Sequence, residues 1–263
     1  MKVERRSAEE PTSRSGVMYH VGLSKKDIHG AKVALLPGDP ARVPKVAKHL
    51  RDATRLAVNR EYTSYLGYLG KIPVLVMSTG IGGPSAAIGI EELARLGVET
   101  MIRVGTCGAI RKEIKPGTVM IADCAVRLDG TSRQYVMDGY PAAGTPEVAV
   151  ALRKAAVSLK KDFVAGITAS TDSFYVGQGR EGFKGYLPSF SRTLIADLKS
   201  ANVLTFEMES ATLFVLGRIY GIRTGSVFAV AGNRESGEFV PGAGVEDAIK
   251  VALAAVADLN AKP

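Results

Sequence analysis

Arginine stands out in the apolar stretch MIRVGTCGAI at residues 101–110, where Arg103 lies two residues before a glycine. A guanidinium keeps its proton inside proteins, and burying it without a partner is costly. Three partners would meet this requirement: an acidic side chain of the same chain, solvent at the strand end, or a bound anion. Arg103 is therefore the first candidate for chemistry on a charged ligand.

Three glycine-rich segments, LLPGDPAR, STGIGGPS and RVGTCGA, each follow a predicted strand directly. Loops at the carboxyl ends of strands line the ligand crevice of open α/β sheets. Glycine lets backbone amides approach an anion, and a helix N-terminus, predicted here with Ser85 as its cap, adds its dipole. Together with Arg42, Arg103 and Thr106 these segments predict a phosphate site, although each one alone is equally typical of a plain turn.

Two segments in the second half of the chain carry side chains suited to a nucleoside. In TDSFYVGQGR, a glycine-broken loop presents Phe174, Gln178 and Arg180. A glutamine amide offers a donor and an acceptor, which suits a base edge with one of each, and Phe174 is placed to stack. In LTFEMESAT, Glu207 and Glu209 lie where an apolar strand gives way to a helix. Acidic residues suit the first turn of a helix, the simpler interpretation for Glu207, and they also accept hydrogen bonds from sugar hydroxyls.

The elements that must position these side chains alternate between short apolar strands and helices, without an internal repeat. With 263 residues, 46% of them hydrophobic, the chain suits a single α/β domain. Strands are predicted at residues 32–36, 74–78, 101–104, 119–126, 164–170 and 224–230. A helix is predicted from Ser85 to Gly97, with Ile90, Leu93 and Ala94 on one face. A C-terminal helix repeats Val245, Ile249, Leu253 and Val256 at helical spacing.

The net charge of +8 arises from 34 Lys and Arg interspersed with 26 Asp and Glu. No dense basic run is interleaved with aromatics, so we expect no nucleic-acid partner, and a basic surface attracts small anionic substrates equally well. No apolar run reaches the length of a membrane span, and residues 1–16 lack a signal core. Cys107, Cys124 and the three histidines show no metal-ligand spacing. We therefore expect a cytoplasmic protein with no membrane association and no structural metal among these side chains.

Several common enzyme classes lack their motifs in this sequence. GIGGPS half matches a dinucleotide fingerprint, but Ser85 replaces its third glycine. There is no GxxxxGK[ST] loop of a nucleoside triphosphatase and no GxSxG turn of a serine hydrolase. These absences disfavour an oxidoreductase, a triphosphatase and a hydrolase of those types.

The sequence resembles the uridine phosphorylases of the nucleoside phosphorylase family from about Tyr19 to the C-terminal helix. Seven motifs in family order carry the resemblance: PGDPARV, NREY, STGIGGPS, RVGTCGAI, VRLDG, SFYVGQGR and FEMESAT. It implies an α/β, single-domain, three-layer fold with a central mixed twisted sheet flanked by helices over residues 18–263. Residues 1–17 have no counterpart and are expected to be a flexible polar tail. The implied activity is reversible phosphorolysis of uridine to uracil and ribose 1-phosphate in pyrimidine salvage, with deoxyuridine or thymidine as further candidates.

The same motifs imply a role for each candidate site residue. The phosphate site would consist of Gly38, Arg42, Arg103 and Thr106, with Arg60 donated by a neighbouring subunit. The ribose site would consist of Glu207, Met208 and Glu209, with the neighbour's His20 at the 5′-hydroxyl. The base site would consist of Phe174, Gln178, Arg180 and Arg234, beside Cys107 and Gly108. Arg103, Gln178 and Arg180 would carry catalysis by stabilising the phosphate and the departing uracil.

The base preference stays open because of one departure from the family pattern. This chain has Cys107 where uridine phosphorylases commonly carry threonine, and that cysteine resembles the purine-cleaving branch. Gln178 and Arg180 favour the pyrimidine branch, as does the lack of an aspartate in VAGNR. A purine or broad-specificity phosphorylase and a non-catalytic nucleoside-binding relative remain alternatives.

The resemblance also implies an assembly and an ion. Sites shared between subunits imply a homo-oligomer, expected to be a hexamer built as a trimer of dimers. The implied reaction requires no cofactor. A structural potassium ion between subunits is implied at Glu61, Ile81 and Ser85.

Overall fold

The computed structural model describes residue 12 and residues 16–261, so the predicted tail at residues 1–17 lies almost entirely outside the described residues. The strands are β1 Val33–Leu36, β2 Arg51–Asn59, β3 Tyr62–Leu69, β4 Ile72–Met77, β5 Thr100–Ala109, β6 Val119–Leu128, β7 Ala142–Ala143, β8 Phe163–Thr171, β9 Val203–Glu207 and β10 Arg223–Asn233. The helices are α1 Val43–Ala47, α2 Gly83–Leu96, α3 Thr131–Tyr135, α4 Pro146–Ser158, α5 Ser189–Arg192, α6 Leu194–Ser200, α7 Ser210–Tyr220 and α8 Val245–Asn260.

The described strands form one mixed sheet, part of which closes on itself. Strands β1, β4, β3 and β2 extend from β5 as an open sheet, with parallel pairs next to β1 and antiparallel pairs toward β2. Strand β10 pairs with both β5 and β6, and β6, β8 and β9 lead back to β5. The strands β5, β10, β6, β8 and β9 therefore form a closed ring, which places the ends of β5, β9 and β10 side by side.

Helices cover the sheet on both sides, which confirms the predicted three layers. Successive residues of a strand point to opposite faces. In β1, Val33 and Leu35 pack in a core cluster with α1, α4 and α8, whereas Ala34 and Leu36 pack in a second cluster with α2 and α7. Strands buried on both faces read as continuous apolar runs, and this is why β1 and β4 lack alternation.

All six predicted strands and both predicted helices are present, but two local predictions were wrong. The segment Gly105–Gly108 is not a turn after a strand, because β5 continues to Ala109 and pairs with β10 along this length. A side chain at position 105 would meet the Phe228 ring at 2.8 Å, so glycine serves strand packing there. The helix α2 begins at Gly83 with Gly82 as its N-cap, and Ser85 lies in its first turn. Its end at Gly97, with φ of 97°, agrees with the prediction.

None of the helices in the described part of the chain is long and apolar enough to cross a membrane.

Candidate active site

A cavity of about 1010 Å³ opens where the ends of β1, β4, β5, β9 and β10 meet. Most of the predicted site residues line it: Gly38, Arg42, Arg103, Thr106, Cys107, Gly108, Phe174, Gln178, Arg180, Glu207, Met208, Glu209 and Arg234. Glu61 and Ile81 of the predicted ion site also border it. His20, Arg60 and Ser85 do not line it. The cavity thus brings the phosphate, ribose and base candidates of one chain together.

One end of the cavity is formed by the loops after β1 and β4, which lie side by side. Backbone hydrogen bonds join them, from Gly80 N to Gly38 O at 2.9 Å and from Thr79 N to Pro37 O at 2.9 Å. A Cβ on Gly38 would lie 3.3 Å from Nη2 of Arg103, so glycine keeps the backbone close to this guanidinium. Burial and the positive charge of Arg103 lower the pKa of Arg42. The two guanidiniums carry like charges and repel each other, so an anion bound between them would be stabilising.

Arg103 has an internal partner, which was the first of the three alternatives considered for it. The side chain is buried, with a relative exposure of 6%, and its Nη2 forms an ion pair with Oε2 of Glu209. Its Nη1 donates to Thr79 Oγ1 at 3.3 Å, and its Nε lies 3.8 Å from Oε2 of Glu207. Nε has no hydrogen-bond partner among the described residues. The guanidinium is therefore held in place and still has a buried donor to offer.

The two acidic residues at the junction of β9 and α7 have different roles in the structure. Glu207 accepts from the backbone N of Glu209 at 2.9 Å and of Ser210 at 2.8 Å, and from the hydroxyl of Ser170. These bonds satisfy amides at the start of α7, so the carboxylate of Glu207 holds the helix terminus, as in the simpler interpretation. Burial and the charge of Glu209 raise the pKa of Glu207.

Glu209 is the carboxylate that links the two sides of this end of the cavity. Its Oε1 accepts from Gly82 N, the N-cap residue of α2, at 2.6 Å, and its Oε2 contacts Arg103. The side chain is buried and lines the cavity next to the half-buried Met208. Of the two carboxylates, that of Glu209 has one oxygen bound by an arginine rather than by helix amides.

The opposite end of the cavity holds Gln178, whose amide is oriented by two neighbours. Arg180 Nη1 donates to Oε1 of Gln178 at 2.5 Å, and Nε2 of Gln178 donates to Thr171 Oγ1 at 3.1 Å. Because an arginine only donates, this contact fixes which end of the amide is oxygen. Gln178 keeps one unused N–H and one unused lone pair. This pair matches a base edge with one acceptor and one donor.

Arg180 is held over Phe174 and has no acidic partner among the residues that the structure describes. Its guanidinium lies 4.1 Å from the centroid of the Phe174 ring, and Nη1 donates to Phe174 O at 2.6 Å. Burial, followed by the charge of Arg234, lowers the pKa of Arg180 to about 10, so it remains charged at neutral pH. A guanidinium in this environment is stabilised by negative charge that develops nearby. One face of Phe174 is already covered by Arg180, which leaves the other face for a base.

Arg234, the residue that follows β10, supports the base end of the cavity. Its Nη1 donates to the carbonyl of Gln178 at 2.8 Å and its backbone N donates to Ala109 O at 2.8 Å. Arg234 therefore connects the Gln178 loop to β5. Burial lowers the pKa of Arg234.

Cys107 forms part of the wall between the two ends. The thiol is buried, and burial together with the charge of Glu207 raises its pKa, so it stays neutral. Gly108 follows it, and a Cβ there would meet nothing within 4 Å. These two residues give the cavity an uncharged wall with open space above it.

His20 and Arg60 lie outside the cavity of their own chain but close to each other. Glu92 holds His20, with Oε1 2.7 Å from its Nδ1 and with both carboxylate oxygens 3.1 Å from its backbone N. Arg60 occupies the turn between β2 and β3 with φ of 52°. Its guanidinium lies 5.8 Å from the Tyr19 ring centroid, and that ring lies 4.9 Å from the His20 ring. The two residues predicted to serve a neighbour therefore share one surface.

The residues of the predicted ion site lie around Gly80. A Cβ on Gly80 would be 2.8 Å from Cγ of Glu61 and 2.8 Å from Oγ of Ser85, so both side chains close over this glycine. Ile81 is the next residue, and Ser85 Oγ donates to the carbonyl of Thr79. Carboxylate, hydroxyl and carbonyl oxygens are the ligands that hard cations prefer. The residues present fit such an ion.

Phe239 lines the base end of the cavity and was not among the predicted site residues. It follows β10 in the segment SGEFVPG, which contains no motif that marks a ligand site. Ser170 and Thr171, which hold Glu207 and Gln178, were also missed; Ser170 is the last residue of the predicted strand at 164–170 and Thr171 follows it. The signal that could have found them is the presence of hydroxyl side chains at the end of an otherwise apolar segment.

Comparison with known proteins gives the class of this fold and site. The family model described as the phosphorylase superfamily matches residues 32–260, and the chain belongs to this family. It is 52% identical over 250 residues to a uridine phosphorylase of Thermococcus kodakarensis, covering 95% of this chain and 89% of that protein. It is 41% identical to a uridine phosphorylase of Escherichia coli, covering 86% and 89% of the two chains. A guanosine phosphorylase of Halorubrum lacusprofundi is 36% identical, covering 83% and 84%.

Proposed function

We propose that this chain is a uridine phosphorylase, a pentosyltransferase that cleaves uridine with inorganic phosphate to uracil and ribose 1-phosphate. The observation that carries this proposal is the single cavity with Arg42 and Arg103 at one end and the Gln178–Arg180 pair at the other. An anion site and a reader of polar base edges are what a phosphate-dependent attack on a nucleoside requires. The relatives at 41–52% identity are uridine phosphorylases, which supports the same activity.

The reaction develops positive charge on the ribose and negative charge on the departing base, and the attacking phosphate is itself an anion. A phosphate oxygen bonds to C1′ of the ribose while the bond from C1′ to N1 of uracil breaks and its electron pair leaves with the base. Arg42 and Arg103 would hold the phosphate beneath the sugar, whose positive charge it stabilises. Gln178 and Arg180 would hydrogen-bond the uracil carbonyls as they become negative. Arg180 keeps its positive charge at neutral pH, since burial lowers its pKa only to about 10, and that charge would stabilise the departing base.

Phosphate binding and ribose binding are coupled through the ion pair of Arg103 and Glu209 in this proposal. Without ligands each of the two groups partly neutralises the other. A phosphate that takes Arg103 as its partner releases Oε2 of Glu209, which then accepts hydrogen bonds from ribose hydroxyls. Binding of either substrate therefore raises the affinity of the site for the other. Thermodynamic linkage makes this effect reciprocal.

The purine alternative has support from Cys107 and from the guanosine phosphorylase relative. Purine cleavage calls for an acid near the base, and Asn233 occupies the corresponding part of VAGNR. The amide of Asn233 donates to Arg111 O and Ile114 O and accepts from the backbone N of Glu235 and Ser236. All of its groups are used in holding this turn. The arrangement therefore favours the pyrimidine assignment.

An assay with several nucleosides tests the proposed function. The purified protein is incubated with uridine, deoxyuridine, thymidine, inosine or adenosine, with and without phosphate, and the free base and ribose 1-phosphate are quantified. We expect phosphate-dependent release of uracil, with the highest kcat/KM for uridine. Preferred cleavage of inosine or adenosine would instead support the purine alternative. Binding without cleavage of any nucleoside would support a non-catalytic relative.

The proposal includes an active site shared between two subunits, with Arg60 and His20 reaching the cavity of a partner. Its support is that both residues lie together on one surface and outside their own cavity. Two inactive variants, Arg60→Ala and Arg42→Ala, are unfolded and refolded together. In a mixed two-fold dimer one site carries both defects and the other carries neither. Random pairing then restores about a quarter of wild-type activity.

Native mass spectrometry serves as the control for this experiment, since it shows whether mixed assemblies formed. Mixed assemblies without restored activity would place Arg60 in the site of its own chain. The same spectra test the hexamer of three dimers, which is proposed from the family resemblance.

A cytoplasmic location is part of the proposal too, and it is supported by the two free thiols, which a reducing compartment maintains.

A potassium ion at Glu61, Ile81 and Ser85 is proposed as a structural element, and no step of the reaction depends on it. Thermal unfolding is compared in potassium chloride and in choline chloride at equal ionic strength. We expect a higher unfolding temperature in potassium chloride, with the difference lost in Glu61→Gln. Equal unfolding temperatures in the two salts would contradict the ion site.

A further inference from the structure

Phe239 exposes a large apolar side chain at the base end of the cavity. The segment after β10 folds back on the strand, with hydrogen bonds from Asn233 N to Glu238 O at 2.8 Å and from Val240 N to Ala231 O at 2.9 Å. Phe239 is thereby held at the cavity with a relative exposure of 69%. A ring this exposed at a ligand cavity gains favourable contact when a flat apolar surface binds.

Glycine at position 232 is what allows the ring to lie there. A Cβ on Gly232 would be 2.9 Å from Cδ2 of Phe239, closer than real side chains approach. Gly232 pairs with Gly108 across β10 and β5, and the space above Gly108 is open. The two glycines form a floor without side chains, suited to a planar base, and Phe239 stands at the side of this floor.

The position of the base on this floor is fixed by polar groups. Gln178 and Arg180 hold one edge of the base in the proposed function, and Arg234 joins their loop to the Phe239 segment. A base anchored at its polar edge has to place any second ring elsewhere in the cavity. The cavity of about 1010 Å³ is too large to exclude a purine by volume alone. Exclusion therefore requires a bulky side chain at the right place.

We propose that Phe239 sets the upper size of the base, by packing against a pyrimidine ring and occupying the space that the second ring of a purine needs. This inference rests on the proposed function, because it assumes that Gln178 and Arg180 anchor the base. Phe239 is thus a specificity-determining residue supplied by the turn after β10.

Three variants test the proposal by the ratio of kcat/KM for inosine to kcat/KM for uridine. Phe239→Ala removes the ring, and Phe239→Leu keeps part of its volume. Phe183→Ala is the matched control, because Phe183 is 88% exposed and does not line the cavity. We expect the ratio to rise at least tenfold in Phe239→Ala, to rise less in Phe239→Leu, and to stay unchanged in Phe183→Ala. The KM for phosphate should not change in any of them.

Gly232→Ala is a second, independent variant, because its methyl group displaces the ring while keeping the phenylalanine. Circular dichroism and thermal unfolding establish that it folds, and its inosine-to-uridine ratio should also rise. A ratio that stays within twofold of wild type in both Phe239→Ala and Gly232→Ala would overturn the size limit, as would an equal loss for all nucleosides in Phe239→Ala. Wild-type cleavage of uridine together with an unchanged ratio leaves the proposed function standing. A wild type that cleaves no nucleoside overturns both proposals.

Discussion

The two ends of the cavity are built on different principles. At the phosphate end, Arg103, Glu207 and Glu209 are buried, come from β5 and the junction of β9 with α7, and contact one another. At the base end, Phe174 and Phe239 lie on loops with relative exposures of 52% and 69%. The charged side chains of the phosphate end are therefore part of the core, whereas the aromatic rings of the base end lie at its edge.

Charge explains this difference. An ionised side chain loses its hydration when it is buried, so each one in the core needs partners held at fixed positions. Glu207 meets this need with Ser170 and two amides of α7, and Arg103 meets it with Glu209 and Thr79. A base is planar and neutral and is held by aromatic contact and a few hydrogen bonds. The base end is therefore free to differ between relatives that share the phosphate end.

The largest effect is expected from Arg103→Ala at the phosphate end. Losing one charged clamp on the reacting anion should lower kcat/KM by about a hundredfold, or on the order of 3 kcal/mol. The same change leaves Glu209 buried without its cation, which should lower the free energy of unfolding by about 3–5 kcal/mol. Phosphorolysis rates and urea unfolding measure the two losses.

The double variant Arg103→Ala/Glu209→Gln is the control for this prediction. It removes the uncompensated carboxylate, so stability should recover while activity stays lost. Activity within a few-fold of wild type in Arg103→Ala would show that this arginine is only structural and that the phosphate lies elsewhere.

The next largest effect is expected from Gln178→Ala at the base end. A site that pairs with polar edges penalises their mismatch, so kcat/KM for uridine should fall at least tenfold while the KM for phosphate changes by less than about twofold. Gln134→Ala is the matched control, since Gln134 is exposed on α3. An equal loss in phosphate affinity would mean that Gln178 orders the whole cavity, and the two ends would not be separable.

A smaller effect is expected from Ser170→Ala, which removes a hydroxyl donor to Glu207. Leaving a buried acceptor with one partner fewer should lower the free energy of unfolding by about 1–3 kcal/mol. Urea unfolding measures this against Ser158→Ala, whose serine is exposed at the end of α4. Equal stability of the two variants would contradict the view that the phosphate end is held as part of the core.

The sequence predicted six of the strands and the helices α2 and α8, because burial on one or two faces leaves a regular pattern. It did not predict β2, whose exposed residues from Arg51 onward carry no apolar alternation. The closure of β5 with β10 also escaped, because pairings between distant segments leave no local signal. For the same reason Gly105 and Gly108 were taken for a turn, although they continue a strand.

The site residues that belong to dense sequence motifs were predicted. Those that stand alone in the sequence were missed. Arg103, Gln178 and Glu209 occur in dense motifs, and the fold brings them to one cavity. The partner of Arg103 stayed open in the sequence because Glu209 is distant along the chain, at the N-terminus of α7. Phe239 escaped because a lone aromatic residue in a turn is common, and its position at the cavity depends on Gly232 and on the fold of the turn.

The exchange of Arg103 from Glu209 to phosphate is the central claim, and calorimetric titration of phosphate into Glu209→Gln tests it most directly. The glutamine keeps an oxygen for Gly82 N but no longer competes for the guanidinium. Glu238→Gln is the control, since it removes the same charge from an exposed residue of the same cavity. We predict that phosphate binds about tenfold more tightly to Glu209→Gln than to wild type, with little change in Glu238→Gln. Phosphate affinity that is unchanged or weaker in Glu209→Gln would contradict the exchange.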